Sequence, residues 1–122
     1  MRGLRLEDSD GVPVARLPAD VDAANAESVG EVIAASVGRD SPGVIADLTA
    51  TRYLDSAGID MLFRLYERLH TRRQSLHLVV PEEAPVRRIL EVVSMTEIVA
   101  VHTDVTSALG AVRGDGTPTP AT

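Results

Sequence analysis

Between Val44 and His70 the sequence changes period once, and that change limits the possible folds more than any other feature of the chain. Val44 to Leu48 is a short apolar run with β-branched residues, the pattern of a strand. A polar connection follows. From there Ile59, Leu62, Phe63, Tyr66 and Leu69 recur at the spacing of one helix face. Asp60, Arg64, Glu67 and Arg68 fall on the other side, while Met61 and Leu65 lie at the margin of the apolar arc, where the chain's own sheet need not cover them. Strand, loop and helix in this order are the repeating unit of an α/β fold.

The joint of this unit is D-S-A-G, residues 55–58. Asp55 or Ser56 suits the N-cap, because either side chain can accept a hydrogen bond from a free N–H group of the first turn. A compatible second reading makes the Ser56 hydroxyl a regulatory phosphorylation site. The N–H groups and helix dipole favour an anion there, and phosphorylation adds roughly −1.5 to −2 charges.

The same alternation runs through the rest of the chain. Leu4–Glu7 and Val12–Leu17 are strand candidates joined by D-S-D-G, in which Asp-Gly signals a hairpin, with Pro13 suited to a strand start or an exposed edge. Ala26, Val29, Ile33 and Val37 predict a helix from Asp22, its expected N-cap, to about Val37, with Gly38 as the stop. Leu76–Val80 is a strand ended by Pro81. Glu82, Glu83 and Pro85 suit the first turn of a third helix with an inward stripe of Val86, Ile89, Leu90 and Val93. Ile98–Val101 is a last strand, and Thr103 is the expected cap of a final helix through Val112. The expected fold is α/β: a mixed sheet, with an initial hairpin and the remainder mainly parallel, flanked by about four helices. Residues 1–113 read as one domain, and residues 114–122, G-D-G-T-P-T-P-A-T, as a flexible tail with no core residue to order it.

Composition narrows the function. At 122 residues and 44% hydrophobic the chain can build one core, but with one Phe, two Tyr and no Trp it offers no stacking surface for bases. A net charge of −6 argues against direct binding to nucleic acid or to an anionic membrane, both of which recruit clustered positive charge. Every one of the 12 basic residues is Arg, so lysine-dependent phosphate loops and Schiff-base chemistry are excluded. The chain has no Cys, no secretory h-region and no long apolar run, and it reads as cytosolic.

Few residues suggest catalysis. Ser56 lacks the G-x-S-x-G context of a hydrolase nucleophile, and His70, His77 and His102 are scattered as expected surface or boundary residues. Asp47 interrupts an apolar strand and reads as a strand-end carboxylate satisfied by nearby N–H groups, the alternative being Mg²⁺ held with Asp55. The Arg72-Arg73 and Arg87-Arg88 pairs read as solvated faces.

V-I-A-D-L-T, then Y-L-D-S-A-G-I-D-M-L, resembles the signature of STAS domains, in particular the bacterial anti-sigma factor antagonists, and the element order extends the likeness from about Leu4 to Val112. The resemblance implies no catalysis and no cofactor. It implies binding to an anti-sigma factor that is also a serine kinase, which frees a sigma factor. Phosphorylation of Ser56 by that kinase would release the antagonist, and a serine phosphatase would reverse the change. Asp22 matches the family Asp before the first helix, although Ala19 replaces a Gly, and Ala57 stands where many members carry Ser or Thr. On this reading Asp22, Asp55, Ser56, Ala57, Gly58, Met61 and Leu65 form the partner-binding face. The alternative within the fold is a STAS subunit of a larger signalling or transporter-accessory complex.

Overall fold

The computed structural model describes residues 3–114; most of the expected tail, residues 115–122, lies outside the described residues. Two strands open the chain, β1 (Arg5–Ser9) and β2 (Val12–Arg16). They pair antiparallel with Ser9 opposite Val12, around a two-residue turn in which Asp10 and Gly11 both take positive φ, the conformation a tight hairpin needs. The two-residue strand β3 (Asp20–Val21), helix α1 (Ala26–Ser36) and strand β4 (Gly43–Asp47) follow. Next come β5 (Tyr53–Leu54), α2 (Ser56–Thr71), β6 (Ser75–Val79), α3 (Arg87–Val92), a 3₁₀ turn at Met95–Glu97, β7 (Ala100–His102) and α4 (Val105–Val112). The main sheet has the order β1-β2-β4-β6-β7 and is parallel beyond the hairpin, as expected from the alternation.

Side-chain alternation along the central strands divides the core in two. Val44, Ala46, Leu76 and Leu78 face α1 and α2, whereas Ile45 and Val79 face α4, packed with Val12, Val14, Ala108 and Val112. Pro13 is the second residue of β2 and lies ahead of the β2–β4 pairing, so its missing N–H interrupts no parallel ladder.

Several boundaries differ from the sequence reading. Helix α1 starts at Ala26 with Asn25 at its N-cap, because Asp22 forms a turn of its own: its carboxylate accepts the Ala24 N–H at 3.0 Å while its own N–H donates to Asn25 Oδ1 at 2.9 Å. At the other end Val37 is the C-cap, and Gly38 has no positive φ. Helix α3 is shorter than expected. Glu82 and Glu83 lie in a turn before it, closed by the Ala84 N–H on the Pro81 carbonyl, and Ser94 at φ +63° ends it. The chain then coils through the 3₁₀ turn, so β7 begins at Ala100 and Ile98 is exposed. Asp104 caps α4 in place of Thr103, accepting the Ser107 N–H at 2.8 Å.

The helical-wheel reading of α2 needs a rotation. Met61 and Leu65 are 6% and 2% exposed, whereas Ile59, Phe63 and Tyr66 are only partly buried. Helix α1 lies beside α2 and covers the flank that the sheet leaves open. Contact is close at Gly30, where an added Cβ would stand 2.8 Å from Met61 Cγ.

Candidate functional site

Ser56 is brought to the surface by two elements that no periodicity announces. Strands β3 and β5 pair in parallel, Asp20 with Tyr53 and Val21 with Leu54, beside the main sheet. The Ala19 carbonyl accepts the N–H groups of Arg52 and Tyr53 at 2.7 and 3.1 Å, and the Asp55 N–H donates to the Val21 carbonyl at 3.3 Å. Below them the buried Thr51 hydroxyl donates to the Pro18 carbonyl at 2.8 Å. The two loops at this end of the sheet are thereby joined, and α2 leaves from the junction.

Asp55 completes the joint. One carboxylate oxygen accepts the N–H groups of Ala57 and Gly58 at 2.9 and 3.0 Å, and the other accepts the Ala23 N–H from the α1 side at 3.1 Å. Of the two N-cap candidates, Asp55 takes the role. Ser56 is therefore the first helical residue, exposed, and its hydroxyl makes no hydrogen bond among the described residues. The Ala57 and Gly58 N–H groups, expected to cradle a phosphate, are already engaged by the Asp55 carboxylate next to Ser56. Asp60 follows four residues later on the same side of the helix. Asp55→Ala removes the cap and the bond to Ala23; destabilisation of about 1–2 kcal/mol is expected, read from the urea midpoint.

The other candidate residues divide into surface and support. Asp22 and Ala57 are half-buried beside Ser56, and Tyr53, unremarked by periodicity, is 52% exposed on the neighbouring bridge. Gly58 is buried: an added Cβ would come within 2.6 Å of the Val21 carbonyl oxygen, so the room it leaves is filled by this chain's own backbone. Met61 and Leu65 are not free margin residues. They line the floor of a groove of about 420 Å³ between α1 and α2 that opens beside Ala57.

Asp47 is structural. It is buried, with Arg16 Nη1 at 2.6 Å on one oxygen and the Thr49 N–H at 2.9 Å on the other, and Glu7 holds the far side of the same guanidinium. Its carboxylate and that of Asp55 are both engaged by their own neighbourhoods, and no cluster of three potential metal ligands occurs among the described residues. Of the histidines, His70 is exposed and His102 half-buried, as surface or boundary residues would be, and His77, 8% exposed, departs from that placement. His77 and His102 meet on the far side of the sheet, a contact set by strand register and invisible in sequence spacing. No helix among the described residues is long and apolar enough to cross a membrane.

A mixed sheet with an opening hairpin, and a helix that starts at D-S-A-G, define a STAS domain; the STAS family model matches residues 4–108, and the chain belongs to that family. Within it, the chain is similar to an anti-sigma factor antagonist from Mycobacterium paratuberculosis, with 28% identity over 90% of this chain and 92% of that one and a TM-score of 0.79. The fold is shared with the Bacillus cell fate determinant SpoIIAA in its phosphorylated form, at 16% identity, TM-score 0.64 and coverage of 90% and 99%. It is shared too with part of the murine anion transporter Slc26a9, at 17% identity and TM-score 0.70, covering 88% of this chain and 18% of that one. No curated protein matches the sequence significantly.

Proposed function

We propose that this protein is an anti-sigma factor antagonist: it binds an anti-sigma factor with serine kinase activity, frees the sigma factor, and is switched off when that kinase phosphorylates Ser56. The observation that carries the reading is an exposed serine hydroxyl, without a hydrogen bond among the described residues, on the first residue of a helix whose cap is already satisfied by its neighbour. Such a hydroxyl can be esterified without dismantling the fold. The M. paratuberculosis antagonist supports the choice of partner, and the phosphorylated SpoIIAA structure supports the choice of modification.

The face presented to the partner consists of Asp22, Asp55, Ser56 and Ala57, with Gly58, Met61 and Leu65 shaping it from beneath. Its charge sets the mechanism. A phosphate on Ser56 joins the carboxylates of Asp55 and Asp60 in a contact that must lose water, and each like-charge pair at about 6 Å costs on the order of 1–3 kcal/mol at an intermediate effective dielectric. The protein acts by binding and release in the cytoplasm, without turnover of its own, and a serine phosphatase restores the free hydroxyl.

The competing reading, a subunit of a larger signalling or transporter-accessory complex, draws on the shared fold with part of Slc26a9. Size-exclusion chromatography separates the two. Added to a preformed complex of the anti-sigma factor and its sigma factor, the unmodified protein is expected to co-elute with the anti-sigma factor and leave sigma free. A sigma complex that stays intact at saturating protein contradicts the proposal.

A further inference from the structure

The sheet face opposite Ser56 carries a feature the switch does not use. Register places His77 beside Ile45 of β4, and His102 beside Val79 of β6, so both imidazoles emerge on the α4 side of the sheet. His77 Nδ1 stands 2.9 Å from His102 Nε2, with ring centroids 5.2 Å apart. That centroid separation is about the nitrogen separation plus two ring radii, so the rings meet end to end and do not overlap. Only a hydrogen fits between them. Two collinear nitrogens holding zinc would stand about 4 Å apart, given a usual Zn–N bond of roughly 2.0 Å.

The surroundings decide which ring carries charge. His77 is 8% exposed, and its other nitrogen faces the Ser75 hydroxyl at 3.1 Å. Its flanking β4 residue, Ile45, and the α4 residues packed on that face, Ala108 and Val112, are apolar, and among the described residues the charge that acts on His77 comes from His102. His102 is only partly buried, and the Asp104 carboxylate at the α4 N-cap favours its protonated form. A first proton therefore goes to His102, which then donates from Nε2 to His77 Nδ1, while His77 donates from Nε2 to Ser75. A second proton, on His77, sets N–H against N–H.

We propose that His77 and His102 form an acid-sensitive latch, in which neutral His77 keeps the β7 edge and its link to α4 docked on β6, and protonation of His77 releases that edge. β7 suits release because it is a three-residue strand at the edge of the sheet. Burial, with His102 adding to it, pushes the His77 pKa down to about 4, and burial lowers that of His102 as well. An open segment titrates near the ordinary value of about 6.5, so opening takes up protons; docking is complete above about pH 6.5 and is lost as pH falls toward about 4.

Hydrogen exchange corrected for intrinsic rates tests this, comparing the Ala100 and His102 amides, which face β6, with that of Ile45 in the central strand. Between pH 7 and pH 4.5 the opening of β7 is expected to rise about fiftyfold more than that of β4, and His77→Gln is expected to remove most of the difference, leaving the smaller part due to His102. Equal changes in the two strands, or an undiminished difference in His77→Gln, overturn the latch. Should that variant not fold, the wild-type His77 ring resonance decides: a midpoint near 4 in step with β7 exchange supports the latch, and one near 6.5 overturns it.

Discussion

Phosphorylation of Ser56 is expected to weaken binding to the anti-sigma factor by a hundredfold or more, while Ser56→Ala leaves the affinity within about threefold of wild type. The asymmetry follows from the geometry. The hydroxyl is exposed and makes no hydrogen bond among the described residues, so its removal leaves no buried partner stranded. The phosphate meets the carboxylates of Asp55 and Asp60, the latter paired with Arg64 at 2.7 Å, on a face that must be desolvated. Two like-charge terms of about 1–3 kcal/mol each sum to about 2–6 kcal/mol, against about 2.7 kcal/mol for two powers of ten. Ser56→Glu is expected to reproduce part of the loss, since it carries one charge in place of nearly two. Titration calorimetry on the four forms, wild type, phosphorylated, Ser56→Ala and Ser56→Glu, measures it. Thermal midpoints within about 2 °C of one another would show that the effect lies in the contact and not in the fold.

Gly58→Ala is expected to destabilise the protein by about 2–3 kcal/mol, a cost typical of forcing an atom into a packed interior. The new Cβ would stand 2.6 Å from the Val21 carbonyl oxygen and 3.1 Å from a Leu54 methyl. The first of these is backbone and cannot turn away. Relief requires β3 to move off α2, which strains the Asp55 N–H bond to the same carbonyl and the Ala23 bond to Asp55. Gly110 in α4 is the control, because nothing lies within 4 Å of its Cβ position. Gly110→Ala is expected to stabilise by about 0.5–1 kcal/mol through helix propensity alone. Urea midpoints at constant m-value decide both.

What could be read in advance follows from how local each signal is. The period change between Val44 and His70, the Asp-Gly turn and D-S-A-G are each contained within a few residues, and each stands in the structure where it was expected. The rotation of α2 was not legible, because Met61 and Leu65 are buried by α1, and a helical wheel records only the width of an apolar arc, not which neighbour covers its flank. The β3–β5 bridge has two residues per strand, too few for any alternation to register. Asp22 failed as a cap for a reason peculiar to Asx residues: its side chain closed a turn of its own before the helix could begin. His77 and His102 lie 25 residues apart and meet only because β6 and β7 pair in one register.

Ser56 as the modified residue can be checked on the intact protein in one measurement. Incubation with the partner kinase and ATP, followed by peptide mass spectrometry, should place one phosphate on the peptide containing D-S-A-G, at Ser56, and none after Ser56→Ala. Phosphate found on another residue with Ser56 untouched would contradict the switch proposed for this helix start.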